Sequence, residues 1–193
     1  MLSMKRIFDL LFLFIFSSLI LLLVIIFYFT GLVFQGRPVF FTQARGGYKN
    51  KKIKIYKFRT MNIGKDKYNK SVTFYGKFLR KFKIDELPQF YNILKGDLSI
   101  VGPRPLHYEY KKLYSKRQKQ RFKVMPGITG YSQICTNNSD TWKKRFDLDI
   151  WYVQNRSIWL DFEIIFLTLK KIIVSIFLVK KDIELSKKFN GKN

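Results

Sequence analysis

Cysteine, histidine and acidic side chains are all scarce in this sequence, which has one Cys, one His and 13 Asp+Glu against 37 Lys+Arg. The lone cysteine, Cys135, excludes an internal disulfide and fits a chain kept in a reducing compartment. The shortage of acid leaves a formal net charge of +24 at pH 7. That excess is uneven, because residues 1–36 hold only Lys5, Arg6 and Asp9 as charged groups. Nearly all of it belongs to the remainder and implies a polyanionic partner: nucleic acid, anionic lipid or phosphate esters. There is no internal repeat, and 193 residues suit one domain plus a membrane segment and hardly more.

What the chain has in plenty is apolar and aromatic. From Leu10 to Phe34 no residue is charged over 25 positions. As a helix that run measures about 37 Å, enough for a hydrocarbon core of about 30 Å with some tilt. It is far longer than the roughly 7–15 apolar residues of a signal peptide, and no small-x-small cleavage site follows, so it reads as a retained anchor. Basic residues flank both ends: Lys5 and Arg6 before, Arg37, Arg45 and Lys49 after. A simple span cannot keep both flanks in the cytoplasm, whereas a re-entrant helix can. Re-entry calls for a break, and Ser17 and Ser18 are the mid-run polar residues whose hydroxyls re-bond freed carbonyls. With 20 Phe and 11 Tyr, the composition fits a protein resting on membrane lipids.

Beyond the anchor, residues 37–43 read as extended and lead to a Gly46-Gly47 turn. Residues 51–61 alternate basic and apolar side chains, the pattern of a strand with one basic face. Residues 62–73 are a polar loop. Phe74, Phe78 and Phe82 have helical spacing, and Leu87 to Leu94 forms a second short helix with Asp85 as an N-cap. Leu106 to Lys123 reads as a helix crowded with seven Lys and Arg, either solvated or facing an anionic membrane surface. Pro126-Gly127-Ile128-Thr129-Gly130 is a turn cluster. Trp142, Trp151 and Trp159 suggest a membrane–water interface, and 160–179 suits a helix lying in it. The domains expected are 1–36 as the membrane-inserted helix, 37–180 as the body with its interfacial helices, and 181–193 as a polar tail. The fold class is α+β, mostly helical with short strands.

The chemistry concentrates in Asp85-Glu86-Leu87-Pro88-Gln89. Adjacent carboxylates repel and are rarely buried unpaired. Here they precede Lys95-Gly96-Asp97 and a Gly102-Pro103-Arg104-Pro105 turn that presents a guanidinium. Carboxylate nucleophile or metal chemistry on a phosphorylated substrate is one reading; from spacing alone, helix capping by Asp85 is an equal one.

In motif order and spacing, nearly the whole chain resembles the small monotopic phosphoglycosyl transferases of bacteria. The matching stretches are Lys5-Arg6 with Asp9, Phe41-Thr42-Gln43-Ala44-Arg45, Lys54 to Met61, Asp85 to Gln89, Asn92, Lys95-Gly96-Asp97, Gly102 to Pro105, Pro126 to Gly130, and Trp142 to Asp161. The tail resembles that of members from protein-glycosylation pathways. The resemblance implies an enzyme at the cytoplasmic face of the bacterial inner membrane, moving a sugar-1-phosphate from a UDP-sugar to polyprenyl (undecaprenyl) phosphate with release of UMP. It implies Asp85 as the nucleophile of a covalent phosphosugar intermediate, with Glu86 binding Mg²⁺. Lys57, Arg59 and Arg104 are the implied phosphate-binding cations, Asp149 and Asp161 acidic groups near the site, and Asp161 a second metal contact. No nucleic acid is expected. His107 has no counterpart and no assigned role. The chain departs from the family at Ser17-Ser18-Leu19, where Ser-Pro is usual, and at Asn137, where an arginine is usual. The competing readings are a member without turnover and a basic membrane-tethered protein that only binds polyanions.

Overall fold

A computed structural model describes residues 2–63, 71–137, 139–177 and 189–191. Helix α1 (Leu2–Gln35) is followed by strands β1 (Phe40–Gly46) and β2 (Lys52–Phe58), then helices α2 (Phe74–Lys81) and α3 (Gln89–Lys95). Strands β3 (Ser99–Val101) and β4 (Gly127–Thr129) bracket an irregular stretch, and helices α4 (Tyr131–Cys135), α5 (Trp142–Asn155) and α6 (Ile158–Phe177) complete the order. The α+β class, mostly helical with short strands, is what the sequence predicts.

β1 and β2 form an antiparallel hairpin, Phe40 opposite Phe58 and Gly46 opposite Lys52. The alternation read over 51–61 is thus a real strand. β3 and β4 pair in parallel, and their approach requires glycine: a Cβ on Gly127 would stand 2.1 Å from the Gly102 nitrogen. Buried Asn92 fastens α3 to β2. Its side chain donates to the Lys54 carbonyl at 2.7 Å and accepts from the Tyr56 N–H at 3.1 Å. Asn92→Ala leaves both backbone groups without these partners. An orphaned buried group costs about 1–3 kcal/mol. With Lys54 exposed and Tyr56 half-buried, the low end applies to each, and we expect a loss of about 2 kcal/mol, read as a lower thermal midpoint; an unchanged midpoint would refute it.

Helix α1 is held by the body at both ends. At its start Lys5 pairs with Asp161, Arg6 donates to the carbonyls of Ile93 and Leu94, and Asp9 accepts from Ser99 Oγ and the Ile100 N–H. At its end Thr30 meets Tyr75, and Gln35 donates to the Arg59 carbonyl. Between these anchor points most of its apolar side chains are exposed. The predicted break at Ser17-Ser18 is absent: the chain stays helical there, and Ser17 Oγ bonds the Phe14 carbonyl within the helix. A serine hydroxyl leaves the backbone N–H in place, unlike proline, so the ladder survives.

Three other expectations change. Asp85 is not an N-cap, because Pro88 precedes α3 and Asp85 lies in a 3₁₀ turn, Ile84–Glu86. Lys83, at φ 58°, turns the chain before that segment and sends both carboxylates inward. Residues 106–123 are not one helix but two 3₁₀ turns, Tyr108–Lys112 and Gln118–Lys123. Ser115 and Gln118 exchange side-chain-to-backbone bonds, and that local alternative stops helix propagation. The tail is not wholly polar, since Phe189 is buried among Tyr110, Tyr114, Trp142 and Phe146. Residues 178–188, residues 192–193 and the centre of the 62–73 loop (64–70) lie outside the described residues.

Trp142 is therefore a packing residue, whereas α6 carries an exposed apolar stripe. Trp159, Phe162, Phe166, Leu169 and Ile173 recur at helical spacing and are all exposed, while Asp161 and Ile164 face inward. A contiguous exposed apolar stripe of this kind marks an interaction surface.

Candidate active site

Three segments converge on one carboxylate. β2 supplies Lys57, the 3₁₀ turn supplies Asp85 and Glu86, and the turn after β3 supplies Arg104. Glu86 Oε1 accepts from Lys57 Nζ at 2.6 Å and from Arg104 Nη2 at 2.9 Å. Burial alone would raise the Glu86 pKa, but Arg104 and then Lys57 outweigh it and hold the carboxylate far below the usual range. Burial pushes Lys57 down, against the pull of Glu86.

Asp85 is the opposite case. Burial and the neighbouring Glu86 charge push its pKa up, and Lys57, Lys83 and Arg80 offset this only in part. No hydrogen bond reaches its side chain among the described residues, so two adjacent carboxylates have been given opposite electrostatics. One is locked to cations, and the other is left with free lone pairs. Glu86 Oε2 is also without a hydrogen bond there.

Glu86 is bonded to two lining residues of one compartment, and Leu87, next in sequence, lines another. The first is a narrow pocket lined by Arg45, Lys57, Gln89, Arg104 and Gly127. The second is an apolar cleft of about 660 Å³ between α1 and the body, lined by Leu13, Ile20, Val24, Tyr56, Leu87 and Phe90. Strand alternation produces this division: Ile55 and Lys57 face the polar pocket, and Tyr56 between them faces the cleft. Gln89 likewise faces the pocket while Leu87, Pro88 and Phe90 face the cleft.

The other predicted site residues are each engaged by partners of their own. Arg59 donates to the backbone carbonyls of Gln35, Gly36, Pro38 and Met61, so its guanidinium clamps the end of α1 instead of facing phosphate. Asp149 is buried against Arg121, whose Nε and Nη2 reach its Oδ2 at 3.0 and 2.8 Å, and Ser132 Oγ holds Oδ1 at 2.6 Å. Asp161 has one oxygen on Lys5 and the other on the Tyr152 hydroxyl, the partners that fix it at the start of α1. Ser17 lines the cleft. Asn137, where the resemblance expects arginine, has Arg145 beside it: Nη2 donates to its carbonyl at 2.9 Å.

Two contributors were missed in the sequence. Arg45 lines the polar pocket, and its alternation with Gln43 along a strand was a usable signal. Arg121 donates to the Arg104 carbonyl at 2.6 Å, and nothing in its Lys/Arg-rich neighbourhood marks it out.

Residues 1–175 match the family model described as "Bacterial sugar transferase". The chain is 46% identical over 184 residues to "Uncharacterized sugar transferase EpsL" of Bacillus subtilis (strain 168), covering 89% of this chain and 88% of that one. It is 43% identical over 150 residues to a UDP-glucose:undecaprenyl-phosphate glucose-1-phosphate transferase of Klebsiella pneumoniae, covering 69% and 32%. An N-acetylgalactosaminephosphotransferase of Aeromonas hydrophila that is named for UDP-N-acetylgalactosamine and undecaprenyl phosphate is 37% identical over 150 residues, covering 70% and 36%. The chain thus spans about a third of the length of the relatives named for a reaction. A match over residues 1–175, with the dyad and its cations gathered as described, places the chain in the bacterial sugar transferase family.

Proposed function

We propose that this protein transfers a sugar-1-phosphate from a UDP-sugar to polyprenyl phosphate and releases UMP. The observation that carries this reading is a carboxylate pair tied to a cationic pocket through Lys57 and Arg104 and continued by Leu87 into the lining of a large apolar cleft, since the reaction joins a water-soluble anion to a lipid. An Asp85 oxygen attacks the phosphorus next to the sugar, and the bond to the UMP oxygen breaks. An oxygen of the lipid phosphate then attacks the same phosphorus and displaces Asp85. Splitting the transfer in two spares two polyanions a direct encounter. A free, poorly solvated carboxylate suits the attacking role, while Lys57 and Arg104 supply fixed positive charge for the phosphoryl group.

Glu86 Oε2 and the Asp85 oxygens are an adequate protein share for Mg²⁺, which commonly takes one or two carboxylates and completes its shell with waters and substrate phosphates. Bound there, the ion would neutralise charge on the transferring phosphoryl group. The attachment of both ends of α1 to one body, with exposed apolar side chains between them, supports an unbroken helix embedded in one leaflet, at the inner face of a bacterial membrane. The outward stripe of α6 supports its lying in that interface. The lipid tail fits the cleft by chemistry.

The test is UMP release by purified protein in lipid nanodiscs, given undecaprenyl phosphate, Mg²⁺ and a panel of UDP-sugars. Continuous release with at least one donor is expected, and chelation of the metal should abolish it, with recovery when Mg²⁺ is returned. Folded, membrane-bound protein that releases no UMP from any donor would refute the reading. The sugar is left to the panel, because relatives are named for both glucose and N-acetylgalactosamine.

A further inference from the structure

The cationic pocket holds more positive charge than its own carboxylate answers. Arg45, Lys57 and Arg104 all line it, and Glu86 bonds the last two. Arg45 pairs with no carboxylate among the described residues. Its guanidinium is steadied by Gln43 Oε1 and, at 3.4 Å, by the Pro105 carbonyl, both neutral acceptors. Burial, and then the like charge of Arg104, push its pKa down to about 10. A half-buried guanidinium sharing a pocket with other cations costs stability unless an anion joins them. Arg45 is also fixed from both sides, by Gln43 on its own strand and by the Pro-Arg-Pro turn. That is how a residue awaiting a ligand is held.

We infer that Arg45 is a substrate-binding residue that grips a phosphate of the nucleotide-sugar donor, the phosphate that leaves as UMP. The inference rests on the reaction proposed above. The donor is chosen over the lipid phosphate because the pocket and the apolar cleft lie on opposite faces of β2. Ile55 and Lys57 share Arg45's compartment, and Tyr56 faces the lipid side. The pocket is narrow, about 10 Å³, so the phosphate seats at its mouth, where Arg104 keeps 38% of its side-chain surface.

The experiment uses the full chain in nanodiscs, comparing wild type with Arg45→Gln and Arg45→Lys. UMP binding is measured by calorimetry without lipid substrate, and KM is measured separately for donor and acceptor. For Arg45→Gln we expect UMP affinity to fall and donor KM to rise by about 10- to 100-fold, the span of a charge-assisted hydrogen bond. Acceptor KM should not change. Lysine should restore part of the loss, since it keeps the charge but not the fork. Unchanged UMP affinity in the glutamine variant would overturn the assignment, as would a rise confined to acceptor KM. An equal rise in both KM values with a lowered melting midpoint would reduce Arg45 to a brace for Pro105 and overturn it too. If wild type binds UMP in an Arg45-dependent way but releases none from any donor, the transferase reading fails while the anion site stands.

Discussion

Asp85→Asn should cut UMP release on the order of 10³-fold or more, the scale seen when a covalent nucleophile is removed, while leaving the protein at least as stable. The two halves of this expectation come from the same geometry. Asparagine matches aspartate in shape but cannot form the acyl phosphate, so both half-reactions stop. The Asp85 side chain accepts no hydrogen bond among the described residues, so the amide breaks none. Burial and Glu86 already disfavour the charge, so removing it relieves a repulsion. Stability held back by a functional group is the usual trade at an active site. The check is a rapid-quench measurement of the first turnover beside a thermal melt. Activity within tenfold of wild type would remove Asp85 from the nucleophile role. A clearly lower melting midpoint would instead mean that the carboxylate braces the fold.

What could be read along the chain, and what could not, divides by the distance over which each feature is decided. The apolar run of α1, the alternation of β2 and the helix at 74–81 rest on neighbours a few residues away, and all three are found. The dyad was legible because two adjacent acids in an acid-poor chain need a reason. Arg59, Asp149 and Asp161 were seen as charged groups near a site, but their work is set by partners far off in sequence. Arg59 reaches back to Gln35, Asp149 to Arg121, and Asp161 to Lys5 across almost the whole chain. A charge pattern gives the residue type and not its counter-ion. The stretch 106–123 failed for a local reason: its periodicity suits a helix, and the Ser115–Gln118 exchange overrides it. Phe189 looked like part of a polar tail because one aromatic among lysines gives no periodic signal.

Arg121→Met should be the most destabilising single change of those considered, and its pairing with Asp149→Leu separates stability from catalysis. Arg121 and Asp149 are each only 3% exposed, and Ser132 is the other side chain bonded to the carboxylate. Burial pushes the Asp149 pKa up even beside the guanidinium, so desolvation is already telling. Removing the arginine leaves a buried carboxylate with one hydroxyl, a loss of about 3–5 kcal/mol from a total that for most domains is about 5–15 kcal/mol. Replacing both members by apolar side chains removes the desolvation penalty along with the pair, and such swaps are commonly near neutral. The double variant should therefore recover most of the lost stability in a denaturant titration. It should not recover UMP release, because Arg121 also holds the Arg104 carbonyl at 2.6 Å and so sets where the Arg104 guanidinium meets Glu86. A double variant as active as wild type would show that the buried pair only stabilises the fold. One that stays unstable would show that the pocket around residues 121 and 149 cannot repack, and that the pair's contribution is specific to its hydrogen bonds.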